Sequence, residues 1–103
     1  MEKTLVDLTK KEIIEAGKEI CKCFNVSMLD YSYNVVRTVN DINDPFTISD
    51  ETLFSMTIVF EKNLVLEWDR ENGFELYDLY NRKQLIIKES SLGGFLLLLN
   101  NCD

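Results

Sequence analysis

Two cysteines separated by one residue, Cys21 and Cys23, are the first candidates for chemistry, because closely spaced thiols can bind a metal ion or act as a redox pair. They lie in a segment with helical periodicity, where residues two positions apart point about 200° away from each other. The only other cysteine is Cys102, and a structural zinc site uses four ligands. We therefore interpret Cys21 as a core thiol and the other two as incidental, and we expect no bound metal.

Acidic residues are the second set of candidates. A calcium-binding EF-hand loop aligned from Asp41 fails, because Phe46 stands where the loop needs glycine and Thr52 stands where it needs a bidentate glutamate. Four further acids could suggest a glycosidase pair or a two-metal nuclease site: Glu67, Asp69, Glu71 and Glu75. They flank a predicted hairpin turn, where side chains spread into water rather than converge in a pocket. We interpret both segments as solvated surface.

Histidine is absent from the chain. Its absence removes the usual general base near neutral pH, every Ser–His or Cys–His dyad and the commonest zinc ligand. There is also no P-loop and no glycine-rich dinucleotide turn, since the only glycine pair is Gly93-Gly94. The sequence therefore predicts a protein that is not an enzyme and that carries no cofactor.

The elements that position these residues begin with a helix. Residues 9–12 (Thr-Lys-Lys-Glu) fit a capping box, and Leu8 with Ile13 fits the hydrophobic staple that accompanies it. An apolar stripe then recurs at helical spacing: Ile13, Ile14, Gly17, Ile20, Cys21 and Phe24. Gly17 within the stripe suggests close approach to a sheet, and Asn25 is a suitable terminator.

After the helix the apolar period changes to two, which indicates strands. Alternation predicts five of them, over residues 31–39, 54–60, 64–68, 74–80 and 84–88. Residues 40–51 form a loop by composition, and Asn72-Gly73 is a strong hairpin signal. Short connections favour antiparallel neighbours. The predicted fold is therefore α+β: an N-terminal helix packed on an antiparallel β-meander of about five strands, in a single domain spanning residues 1–103.

The C-terminal segment allows two assignments. Ser90 or Ser91 could cap a short helix that runs through Leu99 and ends at Asn100-Asn101. The alternative is a sixth strand, because Gly93-Gly94 weakens the helix. We favour the short C-terminal helix, buried in the core or against a second copy of the protein.

Negative charge is concentrated in the middle of the chain. Residues 25–81 contain eleven acidic and three basic residues, a net charge of −8, whereas the whole chain carries −7. This part of the chain contains the predicted strands. A pI near 4.5 argues against direct binding of nucleic acid or of an anionic membrane, because phosphates would be repelled, and it favours a basic protein partner. Three cysteines and a charged first segment predict a cytoplasmic protein.

The third and fourth predicted strands separate apolar from acidic residues. One parity should be buried: Leu64, Leu66, Trp68, Phe74 and Leu76. The other parity carries Val65, Glu67, Glu75, Tyr77 and Leu79. Asp78 breaks the alternation, which predicts a bulge or a strand end near it. We predict a partner-binding face made of Glu67, Asp69, Glu71, Glu75, Tyr77 and Asp78, whose charges would speed encounter and whose ring would supply an anchor.

By analogy of size and charge, the leading hypothesis is a small acidic inhibitor that blocks a basic, nucleic-acid-handling protein. Phage-encoded anti-CRISPR proteins and other host-takeover inhibitors are the class we mean, with carboxylates acting as a nucleic-acid mimic. One alternative is an immunity protein or antitoxin that neutralises a nuclease toxin. Another is a structural subunit that forms a homodimer through the apolar residues 92–103. The plainest alternative is an ordinary acidic surface with no dedicated partner.

Overall fold

A computed structural model describes residues 5–38, 50–79 and 84–100 of the chain. Its elements, in chain order, are α1 (Leu5–Phe24), β1 (Met28–Thr38), β2 (Asp50–Phe60), a short 3-10 turn (Glu61–Asn63), β3 (Leu64–Asp69), β4 (Gly73–Asp78), β5 (Gln84–Glu89) and α2 (Leu92–Asn100). The strands form one antiparallel sheet in the order β1-β2-β3-β4-β5. This confirms the predicted α+β fold with its five-stranded meander and short C-terminal helix.

Both helices lie on the same face of the sheet, and the core lies between the two layers. α1 packs mainly on β2, while α2 packs on β5 and on α1. The centre of the core consists of Ile13, Ala16, Ile20, Met56, Ile58, Leu66, Leu76, Ile87, Phe95 and Leu99. No described helix covers the opposite face of the sheet, which we call the open face. The open face is where the outward-pointing residues of the strands meet solvent.

α1 begins earlier than the capping pattern predicts. The helix starts at Leu5, so the predicted N-cap, Thr9, lies inside it. That prediction is wrong because residues 5–8 contain neither glycine nor proline, and nothing in them stops the helix from extending. The predicted end is confirmed: Asn25 has a φ of 54°, and the Val26 N–H donates a hydrogen bond to the Cys21 carbonyl at 3.2 Å. This is the Schellman arrangement at a helix C-terminus.

Gly17 lies where α1 crosses the sheet. A Cβ atom at this position would be 3.2 Å from Ile58 Cδ1 and 3.2 Å from Met28 Cε. The expectation that Gly17 marks close approach of helix and sheet is therefore confirmed. The absence of a side chain allows the helix backbone to pack directly on β2.

The pairing of β1 with β2 contains a bulge at Phe54. Asn34 pairs with Ser55, and Val35 pairs with Leu53, so Phe54 is an extra residue in β2. A bulge shifts the alternation by one. As a result Leu53 is 1% exposed, whereas Phe54, which alternates in sequence with the buried Met56 and Ile58, is 47% exposed.

Several strand boundaries differ from those predicted. β1 begins at Met28, and β2 begins at Asp50, inside the segment predicted as loop. β4 ends at Asp78, and its pairing with β5 shifts register between Leu76 and Tyr77. The irregularity predicted near Asp78 is therefore present. The calcium-loop alignment from Asp41 falls mostly within residues 39–49, outside the described residues.

α2 confirms the helical assignment of the C-terminal segment. The Ser91 hydroxyl accepts a hydrogen bond from the Gly94 N–H at 3.0 Å, which is an N-cap. Phe95 and Leu99 are fully buried, whereas Leu97 is 65% exposed. The segment thus contributes to the core of its own chain and leaves one leucine-rich side in solvent.

Among the described residues, no helix has the length and apolar character needed to cross a membrane.

Candidate functional site on the open sheet face

Strand register sorts the open face into rows that run across the sheet. One row is mostly apolar and contains Val59, Val65, Tyr77 and Leu85. The next row is polar and contains Ser32, Thr57, Glu67, Glu75 and Lys88. Directly opposed residues in neighbouring strands have Cβ atoms about 5 Å apart and interact. The two rows therefore place carboxylates beside an aromatic ring and aliphatic side chains, as the alternation of β3 and β4 predicts.

Glu67 and Glu75 face each other directly across β3 and β4. Like charges in opposed positions destabilise a sheet. Lys88 lies on the other side of Glu75, in β5. Within the part of the chain that the structure describes, neither Glu67 nor Glu75 forms an ion pair, and the ion pair that is present joins Lys22 and Glu19 in α1. The open face therefore keeps a pair of negative charges that no described cation neutralises through close contact.

Tyr77 is coupled to this pair. Its hydroxyl donates a hydrogen bond to Glu75 Oε2 at 2.8 Å. That hydrogen bond, followed by burial and by the charges of Glu75, Glu67 and Asp69, raises the pKa of Tyr77 to about 12. The phenol therefore remains a neutral donor at physiological pH and holds the Glu75 carboxylate in place. Among the described residues, this is the hydrogen bond that the Glu75 carboxylate accepts.

Asp69 stabilises the turn between β3 and β4. Its carboxylate accepts hydrogen bonds from the Asn72 N–H at 2.7 Å, from the Glu71 N–H at 2.9 Å and from the Asn72 side chain at 3.1 Å. These bonds, first among them that from the Asn72 backbone, lower the pKa of Asp69. Asp69 therefore has an evident structural role in addition to its predicted place in the binding face.

We expect replacement of Asp69 with alanine to lower the free energy of unfolding by about 1–2 kcal/mol at neutral pH, because three hydrogen bonds to a carboxylate are lost. A lowered folded-state pKa gives stability that is present above the ordinary value of 3.8 and is lost as the pH falls through the folded-state pKa. The deficit of the variant should therefore shrink in acid. Urea unfolding at neutral pH and at about pH 2–3 measures the difference in unfolding free energy between Asp69→Ala and wild type. Glu71→Ala is the matched control. A deficit that is the same at both pH values would contradict the assignment.

The six predicted binding residues do not all lie together. The structure brings Glu67, Asp69, Glu75 and Tyr77 to the open face. Glu71 is exposed in the turn that follows β3. Asp78 lies at the other end of the hairpin, where it pairs with the buried Leu64. Both residues occupy positions on the sheet face that carries the helices. The prediction missed Lys88, because its place beside Glu75 depends on the register shift that precedes it in β5.

The cysteines follow the sequence interpretation where they are described. Cys21 is partly buried against the core, and burial raises the pKa of its thiol. Cys23 is exposed, and its thiol donates a hydrogen bond to the Asn100 side-chain oxygen at 4.0 Å. No cluster of three or more metal-ligating side chains occurs among the described residues. Cys102 lies outside them.

The open face carries groups suited to recognition. Carboxylates accept hydrogen bonds from arginine and lysine, and Tyr77 with the exposed Leu85 opposite it offers apolar surface beside them. Tyrosine is one of the residue types that contribute most to protein interfaces, and carboxylates supply complementarity to a basic partner. No protein-family model, curated protein or solved structure matches this chain.

Proposed function

We propose that this chain is a non-catalytic binding protein whose open face docks on a basic surface of another protein. The observation that carries the proposal is the opposed pair Glu67 and Glu75, fixed beside Tyr77 and without an ion pair to a described cation. The pair costs stability, since like charges directly opposite each other destabilise a sheet. A local arrangement that opposes folding is typical of a functional site.

A basic partner would relieve this repulsion. An arginine side chain placed between the two carboxylates would gain charge-assisted hydrogen bonds, and its planar group could stack on the Tyr77 ring. The negative field would also increase the rate of encounter. Binding therefore stabilises an arrangement that is unfavourable in the free protein.

The partner class that this chemistry fits best is a nucleic-acid-handling protein. Such proteins carry lysine and arginine in a groove that binds phosphates, and closely spaced carboxylates on adjacent strands supply comparable negative charge. Occupation of that groove would inhibit the partner, as anti-CRISPR and other phage host-takeover inhibitors do. We place the encounter in the cytoplasm, where reduced thiols such as that of Cys21 persist.

Affinity capture from the native host lysate tests the proposal. The bait is the wild-type protein, a Glu67→Lys/Glu75→Lys variant, or a Glu12→Lys/Glu15→Lys variant. The two variants change the net charge equally, but Glu12 and Glu15 are exposed on α1. We expect wild type and the α1 variant to retain the same basic protein, and the open-face variant to lose it. Excess DNA or RNA should release the retained protein.

Two outcomes would contradict the proposal. Equal retention by all three baits would remove the open face from binding, and equal loss in both variants would show that only net charge matters. The identity of the retained protein then separates the subclasses. A nucleic-acid-handling host enzyme supports the inhibitor, whereas a nuclease toxin encoded beside the gene supports an immunity protein or antitoxin.

A further inference from the structure

The two edges of the sheet differ in how they are covered. The β5 edge is six residues long, carries Lys88 and packs against α2. The β1 edge is eleven residues long, and on its outer side no described element pairs with it. Natural sheets protect their edges with short strands, lysine, proline or a covering helix. β5 is short, carries a lysine and packs against a helix, and β1 largely lacks such protection.

The segment 30–36 of β1 is suited to pairing with another strand. It contains no proline, lysine or arginine, and its single charged residue is Asp30 at one end. Four of its apolar or aromatic side chains are exposed: Tyr31, Tyr33, Val35 and Val36. Tyr31 and Tyr33 stack on each other with ring centres 6.4 Å apart. Both lie in register with buried residues of β2, on the face that carries α1.

We propose that a second copy of this chain pairs antiparallel with the β1 edge, with Ser32 of both copies on the two-fold axis. This surface is separate from the acids of the open face. In this register Tyr31 faces Tyr33 of the second copy, and Asp30 faces Asn34 of the second copy. The two sheets join into one sheet of ten strands, and the free backbone groups of each β1 gain partners.

The register identifies the occupant as a second copy because the segment is complementary to itself. Opposed residues lie on the same face, so aromatic side chains meet aromatic side chains and polar meet polar. The carboxylate of Asp30 meets an amide donor rather than another acid. Centring the axis on Tyr33 instead would place Asp30 against Val36.

The tyrosines would also fill the space between the two copies of α1. The axis is perpendicular to the sheet, so both helices remain on one face. The two β2 strands would be about 14 Å apart, three strand spacings, whereas packed helices are about 8–10 Å apart. Four tyrosine rings fit that gap, and Lys10 Nζ already lies 3.9 Å from the centre of the Tyr33 ring.

The acids of β3 and β4 are two or three strands from the edge, beyond the screening length of about 8 Å at physiological salt.

Charged substitutions at Ser32 test this dimer, and sedimentation equilibrium of the full chain measures its dissociation. We expect wild type to dimerise between micromolar and submillimolar concentration. Ser32→Lys alone and Ser32→Glu alone should each weaken dimerisation tenfold or more, because like charges meet on the axis. An equimolar mixture of the two variants should restore the dimer. Thermal unfolding followed by circular dichroism verifies that each variant is folded, since Ser32 is exposed.

A Leu97→Ser/Leu98→Ser variant tests the competing interface, which is a dimer through the C-terminal apolar segment. Both leucines are exposed on α2. Dimerisation that survives this change and follows the Ser32 charges supports the β1 interface. A wild-type monomer over the whole concentration range would overturn the proposal. So would a dimer that both single Ser32 variants retain, or one that the leucine variant abolishes.

Discussion

Replacing Phe95 with alanine is expected to lower the free energy of unfolding by about 3–5 kcal/mol, the usual cost of removing a buried phenylalanine. Phe95 is completely buried, and its ring centre lies 5.4 Å from that of Phe74 in β4. It is therefore one of the side chains that join α2 to the core. Since small domains are stable by only about 5–15 kcal/mol, this single change removes a large share of the total.

Urea unfolding measures the effect, and Leu97→Ala is the matched control in the same helix. Leu97 is 65% exposed, so its replacement should change stability by about 0.5 kcal/mol or less. The midpoint should fall for Phe95→Ala without a change in the slope of the transition. Similar effects for both variants would contradict the placement of α2 in the core.

The second large effect is expected at Gly73, where alanine should destabilise the protein by about 3 kcal/mol. Gly73 has a φ of 72°, a conformation that costs a residue with a Cβ atom about 1–2 kcal/mol. A Cβ atom here would also lie 2.6 Å from the Glu89 carbonyl oxygen and 2.6 Å from Ser90 Cα. These are backbone atoms at the end of β5, so relief requires β4 and β5 to move apart and adds an overpacking cost.

Gly93 offers a matched control, because a Cβ atom there meets nothing within 4 Å. Gly93→Ala should leave stability unchanged or raise it by up to about 1 kcal/mol, since alanine favours the helix. Chemical denaturation of both variants gives the comparison. A loss below about 1 kcal/mol for Gly73→Ala would mean that the β3–β4 turn does not require its left-handed residue.

Local signals in the sequence predicted most of the fold. Asn25 ends α1 as predicted, beside the hydrogen bond from the Val26 N–H to the Cys21 carbonyl, and Ser91, one of the two predicted caps, begins α2. Gly17 marked a close contact for a steric reason that holds in any helix packed on a sheet. These signals depend on neighbours in the chain, so one sequence is enough to recognise them.

Features set by pairing between strands could not be predicted in the same way. Phe54 is apolar and alternates in sequence with the buried Met56 and Ile58. A bulge nevertheless exposes Phe54 and buries Leu53 in its place. The residue that a bulge inserts depends on how two strands align, which the sequence of one strand does not specify. The early start of α1 is a different case, because a capping pattern also occurs inside helices.

The candidate site was predicted in part for the same reasons. Alternation within one hairpin was enough to put Glu67, Glu75 and Tyr77 on one face. The role of Asp69 could have been found, because aspartate is favoured at the first position of a turn. The position of Lys88 beside Glu75 could not have been predicted, since it depends on a register shift between β4 and β5.

The central claim, that the Glu67 and Glu75 carboxylates of the open face steer binding, is tested most directly by the association rate with the captured partner as a function of ionic strength. The comparison is wild type against Glu67→Gln/Glu75→Gln, which retains shape and hydrogen-bond acceptors. For wild type we expect a rate that falls steeply with added salt, and for the variant a rate at least tenfold lower at low salt with a much flatter dependence. Identical rates and identical salt dependence for the two proteins would contradict the claim.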